Sequence, residues 1–179
     1  MRPAISRPAV TAPGSALVVE IAGLRRRTGA TIEVSRTAVI AELEITTARV
    51  RDDRIDVDLV VENVLEGLVA HGRVRAVADA ECRRCLDPVT REIDITVREV
   101  YELHPTEGET WPIEDDHIDL EPMVRESVML ALPLAPLCGD DCRGPEPDRF
   151  PAHAPDGEVG DEERVDPRWA ALDQLEFDE

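Results

Sequence analysis

Lysine is absent from this chain of 179 residues, so every one of its twenty side-chain cations other than histidine is an arginine. Codon usage is the plain account of that bias. Its consequence is a surface of planar guanidinium forks, which suit carboxylate and phosphate equally. Aromatic residues are only 3% of the chain while prolines number fourteen, so any core must be built from Val, Ile, Leu and Ala, with some of the chain left unpacked. Long apolar runs are also missing. ALVV near the N-terminus stops at Glu20, and VMLALPLAPL from Val128 to Leu137 is broken by Pro133 and Pro136. Neither is a signal peptide or a membrane span. The expectation is a cytoplasmic protein without membrane contact, in a reducing compartment where closely spaced cysteines point to metal or redox chemistry rather than to disulfides.

The sequence also lacks the patterns that catalysis usually leaves. Gly23 and Gly29 flank RRRT without forming a P-loop or dinucleotide fingerprint. The histidines His71, His104, His117 and His153 are scattered and form no metalloprotease or triad spacing, and the H-x-E and P-C-x-x-C pair of zinc deaminases is absent. Asp115-Asp116 and Glu162-Glu163 sit in acid-rich runs and read as solvated charge. The chain is therefore expected not to be an enzyme.

What is present is an uneven charge. The formal net charge is -19, but Met1 to Arg91 carries 14 Arg against 13 acids, whereas Glu92 to Glu179 carries 6 Arg against 26. An acidic second half repels phosphate backbones and favours basic partners, which disfavours broad nucleic-acid binding there.

Hydropathy patterning predicts an α+β fold, mainly an antiparallel β-sheet or partial barrel with one covering helix and a mobile acidic C-terminal tail. Residues 1–15 read as a flexible arm, and 16–137 as a single β-rich domain. Strands are expected at Leu17 to Leu24 and at Ala38 to Val50. After a turn through Arg51, Asp52, Asp53 and Arg54, another begins at Ile55, where Val57, Leu59 and Val61 alternate with Asp56, Asp58 and Glu62. The even positions from Leu68 to Ala80 form the apolar face of a further strand, and Arg91 to Leu103 returns antiparallel to it. DLEPMVRESVMLALP predicts a helix near 119–132, with Asp119 able to cap, Pro122 in the first turn and Met123, Val124, Val128, Leu130 and Ala131 as its apolar stripe. The acidic, Pro/Gly-rich stretch 138–165 reads as a disordered linker. A short amphipathic helix and tail are expected over 166–179.

Between two of these strands lies AECRRCLDP. Cys82-x-x-Cys85 supplies two soft ligands, and Cys138-x-x-x-Cys142 could supply the other two of a tetrahedral zinc site. The competing reading is four free thiols, at a hairpin tip and in a loose tail, since Leu86 stands where zinc knuckles usually carry Gly and the second pair is spaced by three. On this reading the first pair is close and the second imperfectly placed. A thiol-redox centre at Cys82 and Cys85 is a weaker alternative, because the flanks predict a turn between strands rather than a helix N-terminus. Arginines are the remaining candidates: Arg73 and Arg75 share a strand face, and Arg83 and Arg84 crown the hairpin. Together they are a candidate RNA-binding patch, with pairing to nearby acids as the alternative.

Five pieces in order, LVVEIAGLRRRTG, ENVLEGLVAHGRVRA, ECRRCLDPV, DLEPMVRESVMLALPLAPLC with its following Cys142, and DPRWAALDQL, resemble the YceD-like family, named for large ribosomal RNA subunit accumulation. The resemblance implies a non-enzymatic ribosome-biogenesis factor that supports large-subunit ribosomal RNA, touching either that RNA or a basic ribosomal protein. Members of the family often carry further cysteines where this chain reads RGPEPDRFPA, which leaves Cys82, Cys85, Cys138 and Cys142 as the candidate ligands. A small zinc-binding or thiol-redox module is the alternative function.

Overall fold

The computed structural model describes residues 16–146 together with Asp148 and Arg149. The expected arm over 1–15, the C-terminal helix over 166–179 and most of the 138–165 linker lie outside the described residues. The chain divides into two units, Met1–Cys142 and Arg143–Glu179; in the second, Arg149 pairs with Glu146 at 3.4 Å.

The first unit is built on a mainly antiparallel sheet whose principal strands follow one another in the chain, with only its short last strand running parallel to its neighbour. Strand β1 (Val18–Glu20) is followed by a 3-10 turn (Leu24–Arg26), then β2 (Thr31–Val39), β3 (Glu44–Ile45), β4 (Ala48–Val64), β5 (Gly67–Glu81) and β6 (Pro88–Glu102). Short strands β7 (Trp111–Pro112) and β8 (His117–Asp119) precede helix α1 (Glu121–Ala131). The sheet runs in the order β2-β4-β5-β6-β7, with β3 folded back on β4, and it is open rather than closed into a barrel. β1 pairs with β8 in a separate two-stranded ribbon.

Period-two alternation fixes which face of each strand is buried. Ile55, Val57, Leu59 and Val61 of β4 and Leu68, Ala70, Val74, Ala76 and Ala78 of β5 point inward, and Ile93, Val97 and Tyr101 of β6 join them. Against this face pack Leu17, Val19 and Ile21 of the β1 segment, Ile118 and Leu120, and Met123, Val124 and Val128 of α1. The result is two layers around one aliphatic core, in which Tyr101 is the largest fully buried side chain among the described residues. Asp119 opens the helix by accepting the Glu121 amide at 2.9 Å. No helix among the described residues is long and apolar enough to cross a membrane.

Four local expectations need correction. Thr31–Val39 is a strand that the pattern hides, because Arg36 falls on its inward face in register with Val57. At this sheet edge the arginine reaches out to the carbonyl oxygens of Ala16 and Val18, at 2.6 and 3.1 Å. Ala38 to Val50 is not one strand, since Ile40 and Leu43 are both buried at a spacing of three and Glu42 takes a left-handed conformation (φ 62°). Arg51 to Arg54 does not reverse the chain. These four residues bulge out of β4 opposite Val77 alone, with Asp52 and Asp53 both left-handed, a conformation that Asp tolerates better than most residues. Leu130, expected on the apolar stripe, is 81% exposed, because it lies about 200° around the helix from Val128.

Candidate metal centre and outer sheet face

The turn between β5 and β6 is closed by two backbone bonds, Cys82 N–H to the Asp87 carbonyl at 2.9 Å and Leu86 N–H to the Cys82 carbonyl at 2.8 Å. Leu86 adopts the left-handed conformation (φ 65°) that glycine would take at lower cost. This turn sets the Cys82 and Cys85 thiols on one side of the tip. The segment after α1 then returns to it. Pro133 accepts a hydrogen bond from Thr47 Oγ1 at 2.9 Å, Pro136 accepts the Arg83 amide at 2.9 Å, and Leu137 accepts from the Arg91 guanidinium. Arg84 completes the tether by donating to the carbonyls of Asp140 and Cys142 at 3.1 and 3.0 Å.

As a result all four thiols converge. Cys82 and Cys142 Sγ stand 3.7 Å apart, as do Cys85 and Cys138, and all four sulfurs lie within 4.8 Å of one another. The expected disparity between a close first pair and a misplaced second pair is thus overturned: backbone carbonyls at Pro136, Leu137 and Asp140 hold the second pair onto the tip. The closest sulfur pairs run across the two segments rather than within the C-x-x-C. None of the four forms a disulfide.

The electrostatics favour a thiolate at the centre. Cys82 is fully buried, and its thiol is brought down to about 6, first by the Cys85 backbone N–H and further by those of Cys138 and Arg84, against the opposing cost of desolvation. At Cys85 the Asp87 N–H pulls the same way, but desolvation and bonding to the Cys82, Asp87 and Cys142 side chains outweigh it and the thiol is raised. Cys138 is raised mainly by its hydrogen bond with Cys142. The depressed Cys82 thiol beside the raised Cys85 and Cys138 thiols is the imbalance expected when neighbouring thiols compete for one charge, and a bound cation favours the thiolate at each ligand.

The outer face of the sheet, opposite the core, is a ladder of polar rows. Arg75 binds Asp58, and Asp58 also accepts Ser35 Oγ at 2.6 Å. Arg73 lies bidentate on Asp94, with its Nε at 3.0 Å, and Arg51 holds Asp79, with its Nε at 2.9 Å. Of the arginines singled out in the sequence, Arg73 and Arg75 therefore sit in ion pairs in the middle of β5, Arg84 is bonded to carbonyls beside the cysteines, and Arg83 is exposed at the tip. About 20 Å of strand separates Arg75 from that tip, so the structure does not gather the four into one patch. The next row of the ladder differs. His71 and Arg98 stand directly opposite each other in register, and neither side chain has a hydrogen-bond or ion-pair partner among the described residues.

A family model described as large ribosomal RNA subunit accumulation protein YceD matches residues 70–176, a span that contains the β5–β6 hairpin and all four cysteines. The chain belongs to this family. It is 34% identical over 172 residues to an uncharacterized protein of Mycobacterium tuberculosis, the match covering 90% of this chain and 82% of the relative. It is 30% identical over 176 residues to an uncharacterized protein of Mycobacterium leprae, with 90% and 78% covered. The uncharacterized protein YlbN of Bacillus subtilis is 32% identical over 102 residues, covering 52% of this chain and 58% of that protein. No solved structure matches the chain.

Proposed function

We propose that the protein is a ribosome-biogenesis factor, without catalysis of its own, that supports accumulation of large-subunit ribosomal RNA by contact with that RNA or with a basic ribosomal protein. The observation that carries this reading is membership of the family named for that accumulation, matched across residues 70–176. The supporting physical picture is an open sheet with one uncovered polar face, of the kind that presents side chains to a partner rather than enclosing a substrate.

Within this role the four cysteines hold zinc. A tetrahedral thiolate site with Zn–S near 2.3 Å has sulfur–sulfur edges of about 3.8 Å, and the two cross-segment distances of 3.7 Å fit it. Zinc here supplies cross-linking rather than chemistry: four protein ligands close the coordination sphere and leave no open position for substrate. Its effect is to pin the segment after α1 onto the hairpin tip, which apolar packing alone does weakly, since Leu134 is 81% exposed. A thiol-redox reading has the same short sulfur distances in its favour, and metal content separates the two.

Deleting the gene tests the main reading. The expected result is a deficit of mature large subunits relative to small ones on ribosome gradients, restored by the wild-type chain; a normal profile in the deletion strain, in cold as well as warm growth, overturns it.

A further inference from the structure

On the outer sheet face, the row containing His71 and Arg98 borders a shallow basin of about 450 Å³. Gly72 stands beside it at φ +147°, where a Cβ would come within 2.3 Å of the Asp58 carbonyl oxygen, so β4 and β5 approach too closely at this point for any larger residue, and the basin lies over this close approach. The floor is apolar: Val69, only 6% exposed although it faces outward, and Val64 line it. Around the floor stand His71, Arg98 and Thr96 on one side and the Glu62 carboxylate on the other.

Three carboxylates of this face are held within the sheet, Asp58 by Arg75, Asp94 by Arg73 and Asp79 by Arg51. Arg73 lines the basin paired in this way, whereas Arg98, His71 and Glu62 line it without side-chain partners among the described residues. Arg98 and His71 are set side by side by the strand register. An unpaired guanidinium, an imidazole, a hydroxyl donor, one acceptor and an apolar floor in a volume suited to a small ligand match what a single nucleotide offers. A phosphate takes the guanidinium. A base lies on the valines against the imidazole or guanidinium plane, and its exocyclic amine donates to the carboxylate.

We infer that this basin binds one nucleotide of an unpaired RNA strand, with Arg98 and His71 on the phosphate and Glu62 on the base edge. The inference rests on the proposed role in large-subunit accumulation and names the RNA contact within it. Unpaired RNA is required because a base held in a duplex cannot leave its stack to reach the valine floor. A basic protein segment is disfavoured at this place, because the Arg98 guanidinium is left open while Asp58, Asp79 and Asp94 are engaged. The acidity of the second half of the chain confines the contact to this locality, so binding is modest in strength and its salt slope is shallow, about one per phosphate neutralised.

The test is fluorescence anisotropy with the full chain and a labelled mixed-sequence RNA of about 12 nucleotides, against the same strand in a duplex. The unpaired strand is expected to bind more tightly. Arg98→Ala combined with His71→Ala should weaken it by about tenfold and lower the salt slope by about one for each phosphate no longer neutralised. Arg98→Lys should restore part of the loss, Arg75→Ala should stay within about twofold of wild type, and Glu62→Gln should change the preference among homopolymers. Equal thermal unfolding of the variants and the wild-type chain verifies that the fold is retained. Undiminished binding by the double variant, equal affinity for the duplex, or no RNA binding by the wild-type chain overturns the inference. The biogenesis reading is judged separately, by the gradient profile of the deletion strain: a double variant that keeps full RNA affinity and restores large subunits removes the basin and leaves that reading standing.

Discussion

Arg84 holds the carbonyl oxygen of Cys142 at 3.0 Å across 58 residues of chain, and its own neighbour Cys85 faces Cys138 at 3.7 Å. The guanidinium thus helps to position the second pair of thiols on the hairpin tip. Protein purified without chelators is expected to carry about one zinc ion per chain. Cys138→Ser or Cys142→Ser should reduce that to near zero and lower the unfolding midpoint, and Arg84→Ala should weaken retention against a chelator without abolishing it. Elemental analysis together with a chelator titration checks all three; a full zinc complement in the Cys142→Ser variant is incompatible with four-thiol ligation.

Gly72→Ala should be among the more damaging substitutions outside the core. Its Cβ would lie 2.3 Å from the Asp58 carbonyl oxygen and 2.9 Å from Leu59 Cα, both of them backbone atoms that can yield only if β4 shifts. The expected loss is about 2 kcal/mol or more, read from urea unfolding.

Tyr101 is fully buried, and burial, together with the carboxylates of Asp119 and Glu99, raises its phenol well above the ordinary value. Its hydroxyl donates to the Asp119 carbonyl at 3.3 Å, just before α1. Tyr101→Phe should cost about 1 kcal/mol through that bond, whereas Tyr101→Ala should cost about 3–5 kcal/mol through the cavity. Similar losses in the two variants would show that the hydroxyl, not the ring, dominates.

Acid should weaken the sheet through two carboxylates. The Ser35 hydroxyl and then the Arg75 charge hold Asp58 below its ordinary range, against desolvation; Arg51, followed by Thr90, does the same for Asp79. A carboxyl depressed in the folded state contributes stability that is fully present above its unfolded value, about pH 3.9, and is lost as the pH falls through the lower folded value. Asp58→Asn and Asp79→Asn should therefore be less stable than wild type near neutrality and converge with it below about pH 4. Thermal midpoints measured from neutral pH downward check the convergence.

Much of this was legible from alternation alone. Val57, Leu59 and Val61 announced β4, Leu68 to Ala80 announced β5, and the position of C-x-x-C between two such strands placed it at a hairpin tip. β2 was hidden because one inward arginine, at a sheet edge where it can reach backbone carbonyls, breaks the apolar pattern as a core charge would. The cysteine count named Cys138 and Cys142 as the other two candidate ligands, but what seats them on the tip was not legible, since it depends on carbonyls accepting from Arg83, Arg84 and Arg91, and main-chain acceptors leave no mark in a sequence. Two of these arginines, Arg83 and Arg84, therefore drew attention as RNA ligands. Arg98 drew none, because its significance comes from standing opposite His71, a relationship set by register.

The succession of strands has a consequence for how the molecule is completed during synthesis. β4 pairs with β2, β5 with β4 and β6 with β5, so each principal strand finds its template already emerged from the ribosome. The thiol cluster cannot follow that order, because Cys138 and Cys142 are among the last residues of the unit to be made. A nascent chain stopped before Cys138 has every row of the sheet but only half of the ligands, and zinc retention distinguishes it from the finished chain. The cluster in this sense closes the unit in time as well as in space, marking the point at which a partner meets a completed molecule.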